Sequence, residues 1–331
     1  MANNGQNILS RAHFQLTRNC NLNCVFCGQR KGALDAKNEN LPFAGWLHAA
    51  HAVKNSAQEA GREPRITLWG GEPLLYPHFS KLAQAIHRIG CRQEVVSNGT
   101  LIDYAATALN EFFDTVYVSF DGFGADDDAI RGEGTFARVT DNLALLRERR
   151  GKLVFLLTLS EINVRHLPNM LENFSGLQPD GIIIQPLIYL SQAEIDAYRE
   201  YSRSFFGCDY PGLQSYCAGN QEAYEAELQK QIESIDFDAY NYEVCFTPHT
   251  HNKPCPPCAM VNERVHISCD GEVGFCTDFF GYSAGNILND PLEKIFSNRR
   301  SEKFRKAVNE SKLTICEHCP WRSHNDCKFS E

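Results

Sequence analysis

Six short apolar runs, each followed by an amphipathic stretch, constrain this chain more than any other property. The runs fall within residues 12–17, 65–77, 93–100, 115–122, 152–159 and 181–187. Between them, residues 43–60, 79–89, 102–112, 135–149 and 166–174 place apolar side chains at helical spacing. Strands alternating with helices imply a parallel sheet with right-handed crossovers, an α/β fold whose ligands sit at the carboxyl ends of the strands. The polar residues at those ends are a loop of cysteines after the first run, then Gly70-Gly71, Ser97-Asn98, Ser119 to Asp121, and Gln185. Residues 191–250 change character. The stretch from Ser191 to Phe206 reads as a helix with a serine N-cap, and residues 221–235 read as a second. They are expected to bridge the sheet domain, 1–190, to a C-terminal domain, 251–331.

The loop LTRNCNLNCVFCGQRKG sets Cys20, Cys24 and Cys27 at spacing C-x3-C-x2-C. Three thiolates so close can converge on one centre, and soft sulfur selects iron–sulfur clusters, zinc or copper(I). A cubane cluster held by three cysteines keeps one iron without a protein ligand. The competing reading is a zinc knuckle or three core cysteines. Seven of the 14 cysteines lie at 255–327, and such clustering points to metal centres rather than disulfides. The net charge of −9 and the absence of a long basic run argue against nucleic acid as a partner. Residues 1–10 lack the regions of a signal peptide, and no apolar run reaches membrane-spanning length, so a cytoplasmic protein without a membrane partner is expected.

The triplet, with Phe26 before its last cysteine, resembles the radical S-adenosylmethionine (radical SAM) superfamily, whose fingerprint is C-x3-C-x-Φ-C with Φ aromatic. The resemblance implies a partial (β/α)6 barrel and a [4Fe–4S] cluster whose open iron binds SAM. It also implies cleavage of SAM to methionine and a 5′-deoxyadenosyl radical that removes hydrogen from an unactivated C–H bond. An electron donor such as flavodoxin or ferredoxin follows from the same resemblance. Gly70, Gly71, Glu72 and Pro73 match the segment that binds the SAM amino group in the family. Ser97, Asn98 and Ser119 stand where related enzymes contact the SAM ribose or carboxylate, and Gln185, at the end of the sixth run, is a further candidate for the cofactor. Arg138, with Arg131 as competitor, is the candidate for its carboxylate. The bland alternatives are a turn at Asn98-Gly99 and a solvated helix face for Arg138.

The C-terminal stretch places Cys258, twelve residues, Gly271, four residues and Cys276, and later Cys316-Glu317-His318-Cys319. It resembles the SPASM/twitch domain of radical SAM enzymes. The incomplete later pattern implies the shorter twitch form, a small α+β domain with one auxiliary [4Fe–4S] cluster on Cys258, Cys276, Cys316 and Cys319. Cys255 and Cys327 are possible substitutes, and Cys269 is disfavoured because it flanks a hairpin turn at Asp270-Gly271. Two C-x2-C pairs also match a zinc ribbon, although 57 residues separate them here. The expected activity is hydrogen abstraction from a small organic substrate such as a sugar, cyclitol or nucleoside, leading to oxidation or epimerisation. With the radical loop reached by residue 20, no peptide-recognition domain is expected before it, although some peptide-modifying relatives also lack one. Modification of a ribosomal peptide and a non-catalytic iron–sulfur or zinc scaffold are the alternatives. Cys208, Cys217 and Cys245 are candidate hydrogen donors for epimerisation, and His249 or His251 candidate bases for oxidation.

Overall fold

The computed structural model describes residues 7–28, 41–209, 214, 216–217, 221–246, 258–277, 282–310 and 312–319. One ten-stranded sheet runs through it in the order β10-β9-β8-β1-β2-β3-β4-β5-β6-β7. The strands are β1 (Arg11–Gln15), β2 (Arg65–Trp69), β3 (Arg92–Ser97), β4 (Thr115–Phe120), β5 (Lys152–Leu159), β6 (Gly181–Pro186), β7 (Glu243–Phe246), β8 (Arg264–Ile267), β9 (Glu272–Gly274) and β10 (Gly285–Asn286). Strands β1 to β7 pair in sequence order and in parallel. Crossovers carry α1 (Phe43–Glu59), α2 (Phe79–Ile89), α3 (Ile102–Phe112), α4 (Ala125–Arg131), α5 (Thr135–Leu143) and α6 (Leu167–Phe174). This is the parallel α/β sheet expected from the alternation of patterns, of the barrel type that the resemblance implies.

Alternation along each strand sorts the two faces. Phe14, Leu68, Val95, Val118, Phe155 and Ile184 are fully buried under the helices. Phe14 lies 5.0 Å from Trp46 of α1, and Phe120, Phe155 and Phe174 pack as a triangle with centroids 4.7–5.4 Å apart. Burying each such side chain stabilises by about 1.5–3 kcal/mol. The opposite parity points into the barrel. There Tyr117, Val154 and Ile183 form a small apolar cluster of their own, with Val96, Leu156 and Cys245 against it.

The stretch expected to bridge two domains does more than connect. It contains α7 (Gln192–Tyr201) and α8 (Gln221–Glu233), with the expected serine cap present as a capping box between Ser191 and Glu194. It also supplies β7, which extends the parallel sheet beyond β6. At the opposite edge β8 pairs in parallel with β1, and β9 returns antiparallel to it as the expected hairpin. Gly271 takes the turn at φ +86°, the left-handed region open to glycine. The C-terminal residues therefore continue the barrel sheet rather than fold apart from it. Helices α9 (Leu292–Phe296) and α10 (Arg299–Asn309) follow. No helix among the described residues is long and apolar enough to cross a membrane.

Candidate functional site

The cysteine loop leaves the carboxyl end of β1, and the ladder with β2 runs on past both strands. Leu16 N–H donates to Trp69 O, Gly71 N–H to Thr17 O and Glu72 N–H to Asn19 O, each at 2.8 Å. This approach needs the glycines. A Cβ on Gly70 would stand 2.4 Å from Thr17 O, and one on Gly71 2.2 Å from Asn19 O. The paired glycines expected to admit a cofactor thus admit the backbone of the cysteine loop itself.

Glu72 is enclosed by donors of this chain, and its side chain is fully buried. It accepts from Asn98 N–H at 2.7 Å, Ser97 Oγ–H at 2.8 Å and Leu74 N–H at 3.1 Å. Burial pushes its pKa up to about 7 despite these donors. Glu72 therefore acts through the turn after β3, which it holds against the loop. Asn98 Nδ2 in turn donates to Asn21 Oδ1 at 3.0 Å and stands 3.7 Å from Cys20 Sγ. Asn21 Nδ2 reaches Thr100 Oγ1 at 2.8 Å, and Arg138 Nε donates to Thr100 O at 2.6 Å. Cys20, Glu72, Ser97, Asn98 and Arg138 are thus linked in one network, while the Arg138 guanidinium also pairs with Asp103 at 3.6 Å on a half-exposed helix face. Pro73 is buried at the start of the following 3-10 turn.

A buried ionic cluster that sequence reasoning did not foresee stands behind Cys24. Arg131 Nη2 lies 2.6 Å from Asp121 Oδ2, and its Nε lies 3.6 Å from Asp127 Oδ1. Burial raises both carboxyl pKa values, that of Asp127 to about 7, with Arg131 opposing. Burial works against the Arg131 charge, yet its two carboxylates hold it protonated. Arg131, the competing candidate for the SAM carboxylate, is thus already engaged. Val25 N–H donates to Ile130 O at 3.0 Å, which fastens the cysteine loop to the end of α4. Helix α4 has seven residues and three consecutive aspartates, so its apolar periodicity was too short to read.

Cys20, Cys24 and Cys27 are half-buried and are not in disulfides. Burial pushes the Cys24 thiol up to about 11 and the Cys20 thiol up as well, and Cys20, Cys24 and Cys27 lie close enough to repel one another as thiolates. Against this, Leu22 N–H and Asn98 Nδ2 are turned toward Cys20 Sγ, and the Arg131 charge favours the Cys24 thiolate, with Asp121 opposing. Three thiols beside N–H donors and a buried cation suit an anionic iron–sulfur cluster. Among the described residues no three His, Cys, Asp or Glu side chains close on a single ion position. The thiolates of a cubane each take a separate iron.

The inner face opens at the carboxyl ends of the strands. Trp69, Val96, Ser119, Leu156, Thr158 and Gln185 are half-buried where their outward neighbours are buried, so the barrel mouth is accessible. Gln185 Nε2 donates to Thr158 Oγ1 at 3.1 Å. His13 and His266, absent from the sequence reading, face this space from the paired strands β1 and β8. Burial, then the nearby Arg264, depresses both, and His266 falls to about 3. Both rings are neutral near pH 7. At the rim Arg18 of the cysteine loop pairs with Asp270 of the hairpin turn at 2.8 Å.

Of the candidate hydrogen donors, Cys245 lies on the inner face opposite Ile183 and is disulfide-bonded, so it carries no thiol hydrogen. Cys217 is exposed beside Leu190, and Cys208 is half-buried 3.4 Å from Ser202 Oγ. Phe26 is half-buried within the loop. Cys258, Cys276 and Cys316 are half-buried against the core, and Cys319 is half-buried too, while Cys269 is 2% exposed. His318, between Cys316 and Cys319, is held by Glu194 of α7 at 2.7 Å. His249, His251, Cys255 and Cys327 lie outside the described residues.

Comparison with known proteins agrees with this arrangement. Residues 14–174 match the radical SAM superfamily, and residues 258–320 match SPASM, an iron–sulfur cluster-binding domain. The pre-heme d1 synthase of Dinoroseobacter shibae is 32% identical over 53% of this chain, which spans 43% of that protein's length. The Fe-coproporphyrin III synthase of Methanosarcina barkeri is 25% identical over 93% of this chain and 80% of its own. SuiB of Streptococcus suis, solved with S-adenosylmethionine and separately with the precursor peptide SuiA, shares the fold. Its TM-score is 0.67 in both, at 12–13% identity, over 98% of this chain and 73–74% of SuiB.

Proposed function

Because the chain belongs to the radical SAM superfamily and carries a SPASM domain, we propose that it removes hydrogen from a C–H bond of a small organic molecule held in the barrel mouth. It is an enzyme that works with a [4Fe–4S] cluster, SAM and auxiliary iron–sulfur chemistry in its SPASM domain. When bound, these groups supply an electron and a 5′-deoxyadenosyl radical, chemistry beyond any amino-acid side chain. The observation that carries the reading is the accessible inner face beside the cysteine loop.

The residues divide the work. Cys20, Cys24 and Cys27 hold the first cluster, and Arg131 and the Leu22 and Asn98 donors favour their thiolate form. Gly70 and Gly71 admit the loop to its place, and Glu72 fixes the turn that carries Ser97 and Asn98 toward it. Ser119, Gln185 and Arg138 remain assigned to the SAM side of the mouth. Cys258, Cys276, Cys316 and Cys319 hold one auxiliary cluster, and the Glu194–His318 contact steadies the last two. A flavodoxin or ferredoxin supplies the electron.

The two curated relatives are named for small-molecule products, which favours that class over the peptide seen with SuiB. The sugars, cyclitols and nucleosides suggested by the sequence fall within the same class. Turnover with SAM and dithionite in the presence of candidate small molecules and of ribosomal precursor peptides tests the reading. Small molecules should raise 5′-deoxyadenosine above the substrate-free level, and deuterium from a labelled substrate should appear in it. Stimulation by peptides alone would overturn the choice of class.

A further inference from the structure

The wall of the barrel mouth formed by β8, β1 and β2 holds polar groups that the reading above leaves unused. Gln15 and Trp69 are register partners at the carboxyl ends of β1 and β2. Both alternate with the outward, fully buried Phe14 and Leu68, so both point to the inner face. Gln15 is 1% exposed, yet among the described residues its Nε2 has no hydrogen-bond partner, and the buried indole Nε1 of Trp69 has none either. Native proteins seldom leave buried N–H groups unpaired, because each forfeits its hydration without return. Two such donors at register-paired positions on one face call for an acceptor from outside the chain, water when the site is empty and a ligand when it is filled.

The surroundings decide its charge. The Trp69 ring meets the His266 ring edge-on at 5.1 Å. One layer below, Arg264 Nη1 lies 3.4 Å from His13 Nε2, a neutral ring, and among the described residues it forms no ion pair with a carboxylate. The charges acting on His13 are those of Arg264 and of Arg11, the latter 3.7 Å from Glu263, and those acting on His266 are Arg264, Arg18 and the opposing Asp270. Asp270 is itself neutralised by Arg18 at 2.8 Å. The field along this wall is therefore positive, and an anionic acceptor is favoured over a neutral one.

We propose that Gln15 Nε2 and Trp69 Nε1 form an anchoring subsite for a carboxylate of the substrate. Two N–H donors match the two oxygens of a planar carboxylate. A phosphate, with three terminal oxygens and greater charge, calls for more donors than Gln15 and Trp69 supply. The subsite rests on the reading that the substrate occupies the barrel mouth, and it narrows that substrate to a carboxylated small molecule.

Equilibrium dialysis of the full-length, cluster-loaded protein with radiolabelled succinate tests this without turnover, so it stands or falls separately from SAM cleavage. Saturable binding is expected, competed by unlabelled succinate and not by succinamide or by sodium chloride at equal ionic strength. Removing one donor to a charged group weakens binding by about tenfold or more. Trp69→Phe, which keeps most of the ring, should show that loss. Gln15→Glu, which keeps the size and places a like charge at the site, should abolish binding. Melting temperature and cluster absorbance confirm that each variant is folded, and either folded variant alone decides the matter. No saturable binding to the wild type, unchanged affinity in a folded variant, or preference for inorganic phosphate over succinate would overturn the proposal.

Discussion

Replacing Gly71 with alanine tests how the cysteine loop is held. The added Cβ would lie 2.2 Å from Asn19 O, 2.6 Å from Asn19 C and 2.7 Å from Arg18 O, all backbone atoms that no rotamer change can remove. Ordinary contact begins near 3.4 Å, so the loop must retreat by about 1.2 Å. The bonds from Gly71 N–H to Thr17 O and from Glu72 N–H to Asn19 O, each 2.8 Å, would then open to about 4 Å, beyond hydrogen-bonding range. Losing both costs about 1–3 kcal/mol, and overpacking adds about 1–3 kcal/mol. A loss of about 2–6 kcal/mol is a large share of the 5–15 kcal/mol typical of a native protein. The displacement also passes directly to Cys20, the next residue. Gly71→Ala should therefore show a lower urea midpoint and less iron per chain after anaerobic reconstitution. Gly176→Ala is the control, because its Cβ would meet nothing within 4 Å. If Gly71→Ala matched the control in both measurements, the backbone contact would not be what holds the loop.

Three further outcomes follow from the same contacts. The Glu72 carboxyl, raised by burial to about 7, binds a proton in the folded chain that the unfolded chain releases near 4.5, so its contribution to stability falls as pH rises across that window. Glu72→Gln does not titrate, so its stability relative to wild type should rise by up to about 3 kcal/mol between those limits; urea midpoints that keep a constant difference would refute this. Arg131→Met leaves Asp121 and Asp127 buried without their cation and should cost about 3–5 kcal/mol in urea denaturation, whereas an unchanged midpoint would show that the cluster does not stabilise the fold. Metal analysis of the reconstituted protein should find about eight irons per chain, falling by about four in Cys276→Ala, and about four irons with one zinc would replace the auxiliary cluster by a zinc site.

The sheet was legible because its strands are short, apolar and evenly interrupted, and because glycine and polar residues mark their carboxyl ends. Strand β7 was not, since four residues in a stretch of helices carry no period of their own. The edge that the C-terminal hairpin joins was equally hidden. Pairing of β8 with β1 spans some 250 residues and leaves no local trace. Within the site, the cysteines and the GGEP segment were readable as motifs, but the role of Glu72 was not. A tetrapeptide shows a carboxylate and does not show that three donors enclose it. Gln15, Trp69 and the two histidines were present as parity, polar residues alternating with Phe14 and Leu68. Parity separates two faces without saying which one surrounds a cavity.

The central claim is that the loop from residue 16 to residue 32 holds a cluster that cleaves SAM. Reconstituted protein incubated anaerobically with SAM and dithionite measures this most directly, with 5′-deoxyadenosine quantified against Cys24→Ala. The wild type should form 5′-deoxyadenosine and the variant should not. Equal amounts from both, or none from a wild type carrying its full complement of iron, would contradict the account.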